Sequence, residues 1–179
     1  MKKISINKFQ PKCFWITGLS ATGKTTLSKM LVSHLRENGR KVIHLDGDHL
    51  RNILSMKSYT KDERLSLGMI YSKLCKHLVE QEVDVVIGVI GLFKELHLWN
   101  RENIKEYVEI FIDTPMEELF RRDPKGIYKK YHNNELSNIA GLDLEVDFPS
   151  KSDIVLKWEE HKNASKMFDD LLTQMSFSN

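Results

Sequence analysis

Residues Gly18 to Thr25 read Gly-Leu-Ser-Ala-Thr-Gly-Lys-Thr and match G-x-x-x-x-G-K-[ST] at every fixed position. Few short patterns constrain a fold so strongly, because this one prescribes its flanks as well. Its glycines let backbone N–H groups turn inward around an anion. Lys24 reaches the outer phosphates as a point charge, and the Thr25 hydroxyl suits a Mg²⁺ ion. The loop must follow a buried strand and open a helix, whose N-terminus adds partial positive charge. Cys13 to Thr17 is short, apolar and aromatic, as such a strand should be. Thr26 to Asn38 is helix-friendly, with Leu27, Leu31 and Leu35 every fourth residue and Gly39 as a stop. The chain is therefore expected to grip a nucleoside triphosphate through Gly18, Ser20, Ala21, Thr22, Gly23, Lys24, Thr25 and Thr26.

Strand and helix patterns alternate beyond this loop. Strands are expected at Val42 to Leu45, Val83 to Ile90, Val108 to Ile112 and Ile154 to Trp158. Helices are expected at Lys61 to Gln81, Lys94 to Glu106, after a Thr114 cap with Pro115 in the first turn, and from Glu160 to Met175. The nearly unbroken apolar run Val83 to Ile90 fits a strand buried on both faces. The expected fold class is α/β: a P-loop-type parallel sheet with helices on both faces, in one domain of 179 residues. Residues 121–149 are polar, weakly periodic and too long for an ordinary connection. They are expected to form a mobile lid.

Bulk composition excludes more than it identifies. A net charge of +2 makes no case for a nucleic-acid or membrane partner, and no apolar run approaches a membrane span. The first ten residues lack the apolar stretch of a signal peptide, so a cytoplasmic location is expected. Cys13 and Cys75 show no C-x-x-C spacing and read as reduced core thiols. Seven scattered histidines show no zinc-type spacing.

Two further segments carry chemistry. Leu45-Asp46-Gly47-Asp48-His49-Leu50-Arg51 lies where the second strand leaves the sheet edge that holds the loop, and that edge is the ligand crevice of an open α/β sheet. Phosphoryl transfer needs a held metal and a group facing the attacking oxygen. Asp46 and Asp48 suit these jobs, Asp46 with Thr25 at the metal and Asp48 at the acceptor hydroxyl, although either carboxylate can serve through water. Residues 121–130 place five basic side chains against one acid, and Asp123-Pro124-Lys125-Gly126 is a turn sequence. Such a run can be a solvated turn, or it can bring cations over a transferring phosphoryl group. His49 is either solvated or touches the acceptor. His97 and Trp99 read as surface and packing residues, with lining of the acceptor pocket as the alternative.

The loop Gly18-Leu19-Ser20, Leu45-Asp46-Gly47-Asp48 with Arg51, and Arg122-Asp123-Pro124-Lys125-Gly126-Ile127-Tyr128-Lys129-Lys130 together resemble the adenylylsulfate kinase family, in order and spacing from about Phe14 to Leu156. The resemblance implies a P-loop kinase fold, Mg²⁺, commonly a homodimer, and transfer of the ATP γ-phosphate to the ribose 3′-hydroxyl of a nucleotide. It makes Asp48, Lys24 and Asp46 the catalytic set and places Arg122 near the ATP base and phosphates. Asp48, Arg51, Tyr59, Arg64, Leu67, Lys125, Asn138 and Ile139 would form the acceptor site. Arg51 and Arg64 would hold the acceptor's phosphate, and Tyr59 stands where the family has a stacking phenylalanine.

The chain departs from the family pattern at the acceptor. Leu67 replaces an asparagine, Ile139 an aromatic residue, and Ile90-Gly91-Leu92-Phe93-Lys94 an Ile-Ser-Pro-x-Arg segment. A stacking aromatic contributes about 1–3 kcal/mol and a hydrogen bond about 0.5–1.5 kcal/mol. Everything serving ATP is intact, so a changed acceptor is expected. A branch resembling these kinases acts on cytidine diphosphoramidate in capsular polysaccharide modification, and a pyrimidine fits a pocket that has lost an aromatic wall. Authentic adenylylsulfate kinase is the alternative. A non-catalytic nucleotide switch is disfavoured, because a guanine-reading Asn-Lys-x-Asp motif is absent and no catalytic cation or carboxylate is lost.

Overall fold

A computed structural model describes residues 4–7, 10–56 and 59–178. In chain order its elements are β1 (Ile4–Asn7), β2 (Cys13–Thr17), α1 (Lys24–Glu37), β3 (Val42–Asp46), α2 (Gly47–Ile53), α3 (Lys61–Glu80), β4 (Asp84–Val89), α4 (Lys94–Asn103), β5 (Tyr107–Asp113), α5 (Met116–Arg122), α6 (Ile127–His132), β6 (Ile154–Lys157), α7 (Ala164–Gln174) and β7 (Met175–Ser178). Five strands form one parallel sheet in the order β3-β4-β2-β5-β6. The expected α/β fold is the one observed. β2 lies at the centre, with Trp15 opposite Ile87 on one side and Glu109 on the other. The chain order reverses around β2, so the crevice at its carboxyl end is the ligand position of such sheets.

Strand residues point alternately to the two faces, and β2 divides its side chains accordingly. Phe14 and Ile16 join Leu27, Leu31 and Leu35 of α1 and Met167 and Leu171 of α7. Cys13 and Trp15 join Leu67, Tyr71, Cys75 and Val79 of α3. Both thiols are buried and unpaired as disulfides, and the contact with Cys75 together with burial pushes the Cys13 thiol well up. Such thiols are poor nucleophiles.

Several expectations need correction. Residues after Leu45 do not form a polar connection but the short helix α2, because the Asp46 carboxylate caps it by accepting from the N–H groups of Asp48 and His49. Thr114 caps nothing. Pro115 occupies the cap position, α5 starts at Met116, and the buried Thr114 hydroxyl lacks a partner among the described residues. The closing helix begins at Ala164 rather than Glu160, because the Asn163 side chain accepts from the Lys166 N–H at 2.9 Å and sets the start there. Met175 opens β7, which pairs in parallel with β1 in a separate two-stranded sheet. No described helix is long and apolar enough to cross a membrane.

Residues 121–149 are more structured than their polarity suggests. They contain α6 and a bridge between Ala140 and Leu144. Tyr128, Ile139, Ala140 and Leu144 join Leu19, Leu92, Phe93, Leu96, Phe111 and Leu119 in a third apolar cluster above the sheet.

Candidate active site

The loop between β2 and α1 is shaped by close approach. A Cβ on Gly18 would lie 2.8 Å from the Ile112 carbonyl oxygen, so only glycine lets the chain turn there. Gly23, with φ 96°, sets the entry to α1. Ala21 holds φ 65°, a left-handed conformation that side chains with a Cβ adopt at some cost. The Thr22 hydroxyl donates to the Leu19 carbonyl at 3.0 Å, and Lys24 Nζ donates to the carbonyls of Gly18 (2.9 Å) and Leu19 (2.6 Å). Burial lowers the Lys24 ammonium to about 8, against the opposing pull of Asp48. No acidic residue lies in the first turn of α1, where Thr25 and Thr26 are exposed. The N-terminus of α1, with no acidic residue in its first turn, therefore favours an anion there.

Asp46 and Thr25 come together as their motif spacing suggested. Thr25 Oγ1 donates to Asp46 Oδ2 at 2.8 Å. Asp46 Oδ1 accepts from the N–H groups of Asp48 (3.0 Å) and His49 (3.2 Å). Burial alone would push the Asp46 carboxyl up. The Thr25 hydroxyl and the two N–H groups outweigh it and hold the group below the ordinary carboxylate range. One ionised carboxylate and one hydroxyl are hard oxygen donors of the kind Mg²⁺ takes while keeping waters and phosphates as its other ligands. The residues fit that ion. His49 itself is exposed.

Asp48 stands in the first turn of α2 and pairs with Lys125, which reaches in from the 123–126 turn. That turn forms as expected, closed by the Gly126 N–H on the Asp123 carbonyl at 2.9 Å. Arg122 donates to Glu118 at 2.7 Å and to the Ala21 carbonyl at 3.4 Å, which puts it beside the phosphate loop. Hydrogen bonds from Arg121 and then Arg122 hold the Glu118 carboxyl at about 2. Tyr128 is buried and donates its hydroxyl to the Ser20 carbonyl at 3.1 Å, so the 121–149 segment is anchored directly on the loop. Burial pushes that phenol up to about 12.

The arginines gather on the far side of Asp48. Arg51 lies 4.3 Å and Arg64 5.1 Å from the centroid of the half-exposed Tyr59 ring. Arg64 Nε donates to the Tyr59 carbonyl and its Nη2 to the Asn138 carbonyl, each at 2.8 Å. Burial and the neighbouring Arg51 cation both lower the Arg64 guanidinium. Two cations this close together would be relieved by an anion between them.

Two expected acceptor residues are placed elsewhere. Leu67 is 1% exposed and packs in the Trp15 and Tyr71 core, so its side chain does not face the crevice. Ile139 is 8% exposed and packs in the third cluster with Phe93. Of the departures, Leu92, Phe93 and Ile139 thus share one apolar cluster. His97 is engaged by the fold on both ring nitrogens. Its Nδ1 lies 2.7 Å from the buried Glu109 carboxylate and its Nε2 lies 3.2 Å from the Asp147 carbonyl. Trp99 packs against the α3 core.

Three contributors escaped sequence reasoning. Tyr128 was visible only as part of a longer motif. Tyr71, whose hydroxyl donates to the Gly47 carbonyl at 3.1 Å, looks like any core aromatic. Asp143, whose carboxylate accepts from two N–H groups, shows in the sequence only as the acid of the Gly141-Leu142-Asp143 segment, with no role attached. A cavity of about 530 Å³ lies along Tyr131, His132, residues 134–137 and Asp143, and no residue of the phosphate loop lines it.

The sequence profile described as adenylylsulphate kinase matches residues 10–157. A cytidine diphosphoramidate kinase from Campylobacter jejuni is 34% identical over 94% of this chain and 99% of its own length. An adenylyl-sulfate kinase from Pseudomonas aeruginosa is 31% identical over 85% of this chain and 79% of its own. Among solved structures, the Mycobacterium tuberculosis APS kinase in complex with AMPPNP and APS superposes with a TM-score of 0.83 at 25% identity, covering 92% of this chain and 97% of that one.

Proposed function

Because the chain belongs to the adenylylsulphate kinase family, we propose that it transfers the γ-phosphate of ATP to the ribose 3′-hydroxyl of a nucleotide, with cytidine diphosphoramidate as the acceptor. The observation that carries the phosphotransfer reading is Asp48, held by Lys125 on the crevice side of the phosphate loop and near enough to act electrostatically on Lys24. In this reading residues 121–149 are a lid. Arg51 and Arg64 hold the acceptor's anionic group, and Tyr59 supports its base. Asp48 takes the proton of the 3′-hydroxyl as its oxygen bonds to the γ-phosphorus and the bond from that phosphorus to the ADP oxygen breaks. Lys24 and Arg122 meet the charge that develops on the transferring group. Thr25 and Asp46 would hold Mg²⁺, which neutralises β- and γ-oxygens when bound. A homodimer and a cytoplasmic location belong to the same proposal.

The full-length relationship with the cytidine diphosphoramidate kinase supports the choice of acceptor. The adenylyl-sulfate kinases of similar identity support adenylylsulfate as the second reading. The deciding experiment compares ADP release from Mg·ATP with each nucleotide. A higher kcat/KM for the cytidine compound supports the first reading, and a wide margin for adenylylsulfate overturns it.

A further inference from the structure

The peptide group between Asn138 and Ile139 is held from both ends by opposite charges. Its N–H, on Ile139, donates to Asp143 Oδ1 at 2.6 Å. Its carbonyl, on Asn138, accepts from Arg64 Nη2 at 2.8 Å. The other oxygen, Asp143 Oδ2, accepts from the Asn138 N–H at 2.7 Å. Asn138 sits at φ 59°, a conformation that an L-residue keeps only where its surroundings fix it. A carboxylate on the N–H side polarises the peptide and strengthens its carbonyl as an acceptor.

Arg64 therefore has a fixed orientation. Nε is committed to the Tyr59 carbonyl and Nη2 to the Asn138 carbonyl. Both partners are neutral, and no ion pair joins Arg64 to a carboxylate among the described residues. Its charge and its Nη1 donors remain available. A direct carboxylate partner would have neutralised the cation, whereas a relayed one orients it and leaves it charged.

We propose that Asp143 is a positioning residue for the acceptor nucleotide: through the Asn138–Ile139 peptide it sets the Arg64 guanidinium that receives the acceptor's anionic group. The inference rests on the kinase reading above and adds a residue that touches neither substrate. It also couples lid to pocket, because the same peptide belongs to the 121–149 segment and Arg64 belongs to α3.

The test measures initial rates for the unmodified enzyme, Asp143→Ala, Asp143→Asn, Arg64→Ala and the Asp143→Ala/Arg64→Ala double variant. The acceptor is adenylylsulfate or cytidine diphosphoramidate, whichever the unmodified enzyme uses with the higher kcat/KM. Asp143→Ala should raise the acceptor KM about tenfold, the loss of one charge-assisted hydrogen bond, while the ATP KM stays within about twofold. Asp143→Asn keeps one carbonyl oxygen and should fall between, and it serves if the alanine variant is unstable. The double variant should be no worse than Arg64→Ala, because Asp143 acts only through Arg64. Equal rises in both KM values, or a full additive effect in the double variant, would reduce Asp143 to a structural residue. An unchanged acceptor KM in Arg64→Ala, or no turnover of either nucleotide, would instead sink the underlying kinase reading.

Discussion

Lys125 and Asp48 form an ion pair across 77 positions of sequence. Both side chains are more than half exposed, and an exposed pair contributes at most about 1 kcal/mol to folding. Its significance for the proposed reaction lies in placement, since it sets a cation of the 121–149 segment on the carboxylate proposed to face the acceptor. Lys125→Ala should lower kcat at least about tenfold while shifting the melting temperature by no more than about 4 °C. Asp48→Asn should lower kcat by about 10²–10⁴ and leave ATP binding intact in calorimetry. If Lys125→Ala melts early yet turns over normally, the pair is structural only.

The Thr25–Asp46 contact makes a separate prediction about metal. Thr25→Ala and Asp46→Asn should each raise the Mg²⁺ concentration for half-maximal activity by about tenfold or more. Asp46→Asn keeps an oxygen for the Asp48 and His49 N–H groups, so α2 stays capped and stability should change little. Asp46→Ala removes the cap as well and should cost about 1 kcal/mol, measurable by urea unfolding. An Asp46→Asn variant with an unaltered Mg²⁺ titration removes Asp46 from the metal site.

Lys24 predicts a pH effect whose sign can be worked out. Its folded value, about 8, lies below the unfolded value of 10.5, so between these the unfolded chain binds more protons. Stability from this group is therefore lowest below pH 8 and rises as pH climbs from about 8 towards 10.5. Polyphosphate favours the charged ammonium, so ATP binding should draw up a proton above pH 8 and weaken as pH rises. Calorimetry at pH 9 in two buffers of different ionisation enthalpy measures that uptake. Lys24→Met should abolish it, and persistence of the uptake in that variant would assign it to another group.

The sheet and the phosphate loop were legible because each rests on local physics. The strand Cys13 to Thr17 is buried at every position, and Gly18 is required by a carbonyl 2.8 Å away from any added Cβ. The main-sheet strands appear within about two residues of their expected bounds. What was illegible depends on long-range contact. The sequence marks Asp46 and Asp48 as functional carboxylates but does not show that Asp46 also caps α2. The 121–149 segment reads as polar because its buried residues, Tyr128, Ile139, Ala140 and Leu144, are spaced irregularly and find their partners in Leu19, Leu92 and Phe111. Leu67 illustrates the converse: a motif position implied contact with the acceptor, while the α3 face on which it lies turns it into the core.

Tyr128 offers the most direct test of how the 121–149 segment communicates with the phosphate loop. Its ring is buried and edge-on to Phe120 at 5.1 Å, and its hydroxyl donates to the Ser20 carbonyl. Tyr128→Phe keeps the ring and deletes one hydrogen bond, which should cost about 0.5–1.5 kcal/mol in urea unfolding. Ser20 lies at the crown of the loop, so the freed carbonyl should also relax the N–H cradle and raise the ATP KM several-fold, with the acceptor KM less affected. Tyr128→Ala removes the ring from the third cluster and should cost about 3–5 kcal/mol, enough to unseat residues 121–149 and expose Arg122 and Lys125 to proteolysis by trypsin. A Tyr128→Phe variant with lower stability and an unchanged ATP KM would show that the hydroxyl braces the lid segment without shaping the phosphate loop.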